Sequence, residues 1–211
     1  MAVVLPAIPR ADFAAGIQAR SPEPLSGKAL DGLAALYDEL RRWGGRLSLV
    51  GPGTAAEVID RHFGESLAAL PWLPEPTGRL VDLGSGAGFP GLVLATARPG
   101  WQATLVEAQE RKWAFLQAAG RRAGLSCRYL NARVAILLPP GFPDAYEVVT
   151  VRALRLAPPV VAAVADRLTP KGRLLLWAGA DVPELPAGLT ITDEIPLPGS
   201  LVRRVLRVER A

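Results

Sequence analysis

Cysteine and histidine are almost absent from this sequence, and their scarcity excludes several kinds of site. Cys127 is the only cysteine among 211 residues, so an intramolecular disulfide and a cysteine-based zinc site are both excluded. Because free thiols persist in a reducing compartment, we expect a cytoplasmic location. His62 is the only histidine and has no neighbouring metal-ligand motif, so no metal site is predicted.

Long apolar runs are missing as well. A transmembrane helix needs roughly 20 consecutive apolar residues, and no run in the sequence approaches that length. The first residues, MAVVLPAIPRADF, lack a charged n-region and contain two prolines, so we predict no signal peptide and no membrane partner. Hydrophobic residues make up 50% of the chain although aromatic ones make up only 6%, which is enough for the core of one α/β domain.

The charge of the chain is mildly basic and unevenly distributed. The formal net charge is +4. Residues 1–60 contain six basic and seven acidic side chains, whereas residues 61–211 contain eighteen basic and thirteen acidic ones. The positive excess therefore lies in the larger, C-terminal part. A nucleic-acid partner fits this distribution, and so does an ordinary basic enzyme.

The pattern of the N-terminal third predicts helices. We expect one or two helical turns near 13–19. Apolar residues at helical spacing predict a helix over 30–43. A second helix is predicted over 54–70, where Thr54 and Glu57 have the spacing of a capping box.

The rest of the chain alternates strands and helices. Strands are predicted at 79–83, 103–107, 127–130, 146–151 and 173–177, helices at 89–97, 110–123 and 156–168, and a helical turn at 133–138. This order is typical of a mostly parallel sheet with helices on both faces. The last two runs, 189–195 and 202–208, are too close for a helical crossover and predict an antiparallel hairpin. We therefore divide the chain into a lead-in with a helical extension, 1–77, and one compact α/β domain, 78–211.

A glycine-rich run follows the first strand of this domain. In Asp82-Leu83-Gly84-Ser85-Gly86-Ala87-Gly88, the spaced glycines allow a sharp turn and a close approach of the backbone to a ligand. The helix that follows presents free N–H groups at its start. The loop alone leaves two ligands open, because Gly86, Gly88 and Gly91 also fit the spacing of a dinucleotide-binding loop.

Three features favour S-adenosylmethionine over a nicotinamide dinucleotide. Asp82 stands two residues before the first glycine, where a carboxylate can face the ammonium of the methionine part and would repel a pyrophosphate. The complete Asp-x-Gly-x-Gly-x-Gly spacing and the C-terminal hairpin are the other two. Glu107, at the end of the next strand, can accept hydrogen bonds from both ribose hydroxyls of either ligand. The residues thus predict a Rossmann-like, class I S-adenosylmethionine-dependent methyltransferase fold.

The sequence also resembles a known family. The run LVDLGSGAGFPGL, Arg61-His62-x-x-Glu65-Ser66 and Lys112-x-x-Phe115-Leu116 resemble the ribosomal RNA small subunit methyltransferase G family, also called glucose-inhibited division protein B. The resemblance covers roughly 33–208. It implies transfer of a methyl group from S-adenosylmethionine to N7 of a guanine in 16S rRNA. The implied partner is 16S rRNA or the small ribosomal subunit, and nothing in the sequence demands more than a monomer.

The resemblance adds roles to those argued from the residues. Together they give a cofactor-binding set of Asp82, Gly84, Ser85, Gly86, Gly88, Phe89, Glu107, Ala108, Gln109, Arg133, Val134, Ala135 and Arg152. Arg152, implied to lie at its strand end beside the methyl donor, is the candidate catalytic residue. Because guanine N7 has an unprotonated lone pair, in-line attack needs no general base, and we expect catalysis by positioning.

Substrate contacts are expected from His62 and from arginines near the ligand crevice. Arg152, Arg155, Arg203 and Arg204 can bind guanine O6 or phosphates, because strand ends and the final hairpin border that crevice. A solvated basic edge strand is the alternative for Arg203 and Arg204. His62 is either a partly buried, hydrogen-bonded histidine or a residue that shapes the target pocket.

Departures from the family pattern fall on the substrate side. The segment 48–50, Glu65, Ala178 and Arg204 stand where the family usually has Asn-Leu-Thr, aspartate, lysine and histidine. Two alternatives therefore stay open. One is a class I methyltransferase that acts on another RNA position, a small molecule or a protein, and the other is a non-catalytic cofactor-binding module that docks on RNA.

Overall fold

The computed structural model describes residues 4–54, 56–73, 76–135, 138–182 and 184–211. The strands in these ranges are β1 Gly78–Leu83, β2 Trp101–Glu107, β3 Arg128–Asn131, β4 Tyr146–Arg152, β5 Leu168–Ala178, β6 Leu189–Pro196 and β7 Arg204–Arg210. They form one sheet in the order β3-β2-β1-β4-β5-β7-β6. Strands β1 to β5 are parallel, and β7 is antiparallel to both β5 and β6. The predicted parallel sheet and C-terminal hairpin are confirmed.

The helices cover both faces of this sheet. They are α1 Arg10–Arg20, α2 Gly27–Gly44, α3 Glu65–Leu67, α4 Gly91–Ala97, α5 Glu110–Arg122 and α6 Pro158–Ala165, with a π-helix Ile59–Gly64 and 3₁₀ turns Pro52–Thr54 and Leu70–Trp72. Helix α2 begins where the Ser26 hydroxyl accepts a hydrogen bond from the Ala29 amide at 3.2 Å, an ordinary N-cap. Its last turn carries Arg41 and Arg42, which suit the negative end of the helix dipole.

Aromatic side chains join the N-terminal helices to the glycine-rich loop. The ring of Phe13 stacks on Tyr37 at 4.9 Å and meets Phe63 edge to face at 5.3 Å. Phe63 in turn meets Phe89 at 5.2 Å, and Phe89 lies between β1 and α4. One apolar cluster therefore contains side chains from the extension and from the sheet. The division of the chain at 77 and 78 stays a prediction.

The prediction of one regular α-helix over 54–70 is wrong, although the segment is largely helical. A 3₁₀ turn, the π-helix and the short α3 replace a regular α-helix. The capping box is also absent. The Thr54 hydroxyl donates to the Gly51 carbonyl at 3.2 Å and lies 2.9 Å from His62 Nε2, while the Glu57 amide bonds the Thr54 carbonyl instead. The Thr54 hydroxyl thus contacts the His62 ring and does not cap a helix.

Other boundaries move without changing the architecture. Helix α1 is longer than the predicted 13–19, α4 and α6 are shorter, and β5 begins at Leu168 rather than at 173. The helical turn predicted at 133–138 is not present in 133–135, which are irregular, and 136–137 lie outside the described residues. Within the described ranges, no helix is both long enough and apolar enough to cross a membrane.

Candidate active site

The glycine-rich loop requires glycine for its backbone conformation and, at two positions, for close packing. Gly84, Gly86 and Gly88 have φ of +69°, +53° and +84°, a region that residues with a side chain rarely adopt. A Cβ on Gly84 would lie 2.9 Å from the Leu154 side chain, and one on Gly88 would lie 2.6 Å from the Leu92 side chain. A Cβ on Gly86 would meet nothing closer than 3.7 Å. Gly84 and Gly88 therefore allow close packing, whereas Gly86 leaves open space.

Glu107 holds this loop in place from the end of β2. Its side chain is buried, with an exposed fraction of 6%. Oε2 accepts a hydrogen bond from the Gly86 amide at 2.9 Å, and Oε1 accepts one from the Gln109 amide at 2.8 Å. Because a carboxylate oxygen can accept two hydrogen bonds, both oxygens keep capacity for a diol. Glu107 is therefore both a support of the loop and a candidate ligand group.

Asp82 lies beneath the loop rather than in its surface. It is 1% exposed, and Thr150 donates to Oδ1 at 2.6 Å. Among the described residues Oδ2 is buried without a hydrogen-bond partner, although the Ser85 hydroxyl and the Gly91 amide are close enough to lower the pKa of the carboxyl. Burial raises the pKa of this carboxyl to about 6, although the hydrogen bond from Thr150 acts in the opposite direction.

A cleft of about 540 Å³ opens above the loop, at the carboxyl ends of β1, β2 and β4. Most of the predicted residues line it: His62, Gly84, Ser85, Gly86, Phe89, Glu107, Ala108, Gln109, Arg133, Val134, Arg152 and Arg155. The predicted residues outside its wall are Asp82, Gly88, Ala135, Arg203 and Arg204. Its volume falls in the usual range for small-molecule sites. The predicted set is therefore largely one surface, assembled from three strand ends and the N-terminal extension.

Arg152 reaches from the end of β4 toward the N-terminal extension. Its Nη2 donates to the Glu65 carboxylate at 2.7 Å and to the Arg61 carbonyl at 2.6 Å. In the described part of the chain its Nη1 is buried without a hydrogen-bond partner. Burial, reinforced by the nearby Arg61 cation, lowers the pKa of Arg152 to about 10, so the side chain stays a cation at neutral pH.

Glu65 was not among the predicted site residues, although it supports several of them. Its side chain is 3% exposed, and its carboxylate contacts Arg61, Arg152 and Arg203. Its backbone carbonyl accepts a hydrogen bond from Trp177 Nε1 at 2.9 Å. The only signal in the sequence was an acidic residue in the Arg-His motif. One buried turn thus fixes arginines from three parts of the chain.

The structure shows the hydrogen-bonded, partly buried ring expected for His62, and its role in shaping the target pocket stays a prediction. The ring is partly buried, lies 5.0 Å from the Phe89 ring and is hydrogen-bonded to Thr54, and it also lines the cleft. Burial and the cations Arg152 and Arg61 lower the pKa of His62 to about 4. The imidazole is therefore neutral at pH 7 and adds no charge to the cleft.

The remaining predicted arginines differ in their surroundings. Arg155 is almost fully exposed and lies 3.8 Å from Asp181. Arg204 lies 3.5 Å from Glu194 of the hairpin. The residues that line the cleft without having been predicted include Leu49 and Lys112. Lys112 belongs to a motif quoted from the sequence, and its place in the first turn of α5 was the available signal.

A second cleft of about 580 Å³ adjoins the first. The two clefts share residues 153–156, and the second one is bordered by Trp177 and Val182. A ligand in the first cleft and an acceptor in the second would meet at the end of β4, where Arg152 lies.

Comparison with known proteins assigns this arrangement to a family. The family model described as rRNA small subunit methyltransferase G matches residues 29–184. The chain belongs to this family. A relative named ribosomal RNA small subunit methyltransferase G from Xanthomonas euvesicatoria pv. vesicatoria is 36% identical over 203 residues, which cover 92% of each chain. Another of that name, from Methylorubrum extorquens, is 39% identical over 183 residues, 81% of this chain and 83% of its own. The resemblance to an rRNA methyltransferase family is confirmed.

Solved structures agree on the fold. The protein yhhF of Escherichia coli matches with a TM-score of 0.57 at 17% identity, over 69% of this chain and 84% of its own. Mitomycin 7-O-methyltransferase MmcR matches with a TM-score of 0.54 at 17% identity, over 97% and 74%. At these identities the likeness shows the fold alone, and it confirms the predicted class I methyltransferase fold.

Proposed function

We propose that this member of the rRNA small subunit methyltransferase G family transfers a methyl group from S-adenosylmethionine to N7 of a guanine in 16S rRNA. The observation that carries the proposal is the Glu107 carboxylate, tied to the Gly86 and Gln109 amides at the wall of the cleft. An rRNA substrate agrees with the predicted cytoplasmic location. Action on 16S rRNA or on the small subunit, and a monomeric state, stay predictions.

The residues of the cleft fit this cofactor. Glu107 has acceptor capacity for a ribose diol, and the open space at Gly86 allows a ligand to contact the backbone. The adenine would lie by the backbone of Ala108, Gln109, Arg133, Val134 and Ala135. When bound, S-adenosylmethionine supplies a methyl group that its sulfonium already activates.

Asp82 argues for an ammonium-bearing ligand. Its carboxylate is buried under the loop, and within the described ranges Oδ2 lacks a hydrogen bond. A negative charge in such a low-dielectric position attracts an ammonium and repels a pyrophosphate even without direct contact. This preference favours S-adenosylmethionine over a dinucleotide, which Glu107 alone does not distinguish.

Arg152 is the residue expected to orient the guanine. Guanine presents O6 beside N7 on the same edge, so the guanidinium of Arg152, whose side chain is 16% exposed, can donate to O6 and leave N7 free to attack. Glu65 offsets the charge of Arg152 beside a base that becomes cationic on methylation. The neutral His62 ring adds no further positive charge. These residues act by positioning the guanine for in-line attack. No general base is needed, because guanine N7 carries no proton.

The test uses small ribosomal subunits and 16S rRNA that lack the modification. The wild-type chain, a Glu107→Ala variant and a Glu110→Ala control are incubated with S-adenosylmethionine, and the RNA is digested for nucleoside mass spectrometry. We expect N7-methylguanosine with the wild type and the control. At limiting cofactor, Glu107→Ala should lose more than tenfold, since hydrogen bonds to a charged group contribute about 1.5–3 kcal/mol each.

The outcomes separate the alternatives. A methyl group on a different nucleoside would overturn the N7 assignment. Methyl transfer to small acceptors or proteins but not to rRNA would overturn the substrate. Tight cofactor binding without turnover on either RNA would favour a non-catalytic module.

A further inference from the structure

The cations around the cleft are paired on one side and unpaired on the other. On the side of β4, β5 and β7, each of the four arginines predicted to contact the substrate has a carboxylate partner: Arg152 and Arg203 with Glu65, Arg155 with Asp181, and Arg204 with Glu194. The hairpin continues the pattern, because Arg207 lies 3.6 Å from Asp193. The positive charge on this side is therefore largely offset within the protein.

The opposite side of the cleft carries a different set, which we call the basic rim: Arg46, Arg111, Lys112 and Arg133. Lys112 and Arg133 line the cleft itself. Arg111 follows Glu110 at the start of α5, and its Nη2 donates to the Arg46 carbonyl at 3.3 Å. Across the ranges that the structure describes, none of the four has a carboxylate within ion-pair distance. Three of them, all except Lys112, are exposed.

A small hollow at the outer end of the basic rim contains a fixed aromatic ring. The hollow, about 150 Å³, is lined by Trp43, Leu47 and the guanidinium-bearing residues Arg42, Arg46 and Arg111. Trp43 Nε1 donates to Glu39 at 3.0 Å, and the indole meets the Phe115 ring edge to face at 5.9 Å. A nucleotide base can stack on an immobilised indole while the neighbouring guanidinium groups bind its phosphate.

We propose that the RNA backbone enters the cleft across the basic rim, with its phosphates bound by Arg46, Arg111, Lys112 and Arg133, and not across the hairpin. This inference rests on the proposed function, because it assumes an RNA substrate. An unpaired exposed cation gains a phosphate and releases counterions. An arginine of the hairpin must first give up its carboxylate. The continuity from the outer hollow through Lys112 into the cleft favours a chain-like polyanion over a compact acidic protein.

The experiment neutralises the two rim residues that do not line the cofactor cleft. Arg46→Gln/Arg111→Gln is compared with Arg121→Gln/Arg122→Gln, which makes the same charge change at the exposed far end of α5. Methyl transfer to 16S rRNA and RNA binding are measured between 50 and 300 mM salt, at roughly the range where phosphate contacts dominate. Circular dichroism and the cofactor Kd check that each variant is folded.

We expect the rim variant to raise KM for RNA about tenfold, with kcat within about twofold of wild type and an unchanged cofactor Kd. The log–log salt dependence of RNA binding should become less steep by about 2, roughly 1 for each lost phosphate contact. The variant at the far end of α5 should change KM by less than about twofold.

A third variant, Arg204→Gln/Arg207→Gln, tests the hairpin directly. A small effect on KM supports entry across the basic rim. A larger loss than in the rim variant, or equal losses in the rim variant and the α5-end variant, would overturn it. If the wild type itself neither binds nor methylates rRNA, the proposed function fails. If the wild type does both and the rim variant behaves like it, only this inference fails.

Discussion

Glu65 shows how much one buried carboxylate can organise. Its side chain is 3% exposed and contacts the guanidinium groups of Arg61, Arg152 and Arg203. Arg152 and Arg203 are themselves mostly buried, at 16% and 21% exposed side chain. Removing the buried anion from such a group leaves cations that are buried without compensation, which is costly even where the intact ion pairs contribute little.

A Glu65→Gln substitution should therefore destabilise the protein strongly. The expected loss is about 3 kcal/mol of unfolding free energy, at the lower end of the range for broken buried pairs because Arg61 is a third exposed. Urea unfolding monitored by circular dichroism gives the measurement. Glu65→Asp, which keeps the charge and matches the family pattern, should lose less than half as much. A Gln variant as stable as the wild type would show that the three arginines do not depend on this carboxylate.

At the scale of elements, α5 packs unusually closely on β3. Gly120 lies inside α5, and a Cβ there would collide with the Tyr129 hydroxyl of β3. Strand β3 ends at Asn131, whose side-chain amide donates to the Glu107 carbonyl at 3.0 Å. A change in the distance between α5 and β3 would therefore affect the cleft through the hydrogen bond from Asn131 to Glu107.

Replacing Gly120 by Ala should destabilise the protein, although the same change normally stabilises a helix interior by about 1 kcal/mol. Overpacking against Tyr129 should cost about 1–3 kcal/mol. Gly27→Ala in the first turn of α2 is the matched control, because nothing lies within 4 Å of its Cβ position, and it should be neutral or stabilising. Thermal unfolding of both variants decides the matter, and a rise in Tm for Gly120→Ala would contradict the close packing.

The buried strands β1, β2 and β4 could be predicted because each is a largely apolar run. The helical details could not. Helix α1 buries only Phe13 and Ile17, so its periodicity is weak. The π-helix Ile59–Gly64 is a rare form, and the spacing of apolar residues does not distinguish it from an α-helix. In β5, the turn-forming residues 170–172 concealed the first half of the strand.

The site divides in the same way. The glycine loop and Glu107 come from short continuous motifs, and their placement in one cleft was predictable. The supports of the site join distant positions: Thr150 and Asp82 are 68 residues apart, and Arg152 and Glu65 are 87 apart. Such pairs become visible only when the parallel strands bring their carboxyl ends together.

At the scale of the whole molecule, two buried groups change the proton balance of folding in opposite directions. Burial raises the pKa of Asp82 to about 6, so its contribution to stability is complete below the unfolded pKa and is lost as pH rises toward 6. Burial, with the cations Arg152 and Arg61, lowers the pKa of His62 to about 4. Its contribution is complete above the unfolded pKa near 6.5 and is lost as pH falls toward 4. Between about pH 4 and 6 the two effects oppose each other.

Single substitutions should separate these opposed effects. In Asp82→Asn only the histidine contribution remains, so relative to the wild type the unfolding free energy should rise with pH by up to about 1.4 kcal/mol per unit between pH 4.5 and 6. In His62→Gln only the carboxyl contribution remains, and the unfolding free energy should fall with pH by a similar amount relative to the wild type. Urea unfolding at pH 4.5, 5.5 and 6.5 measures both, and subtracting the wild-type curve removes the groups that titrate identically. Curves parallel to that of the wild type would mean that neither group changes its proton affinity on folding. Difference curves with slopes of opposite sign would show that folding favours the protonated form of Asp82 and the neutral form of His62.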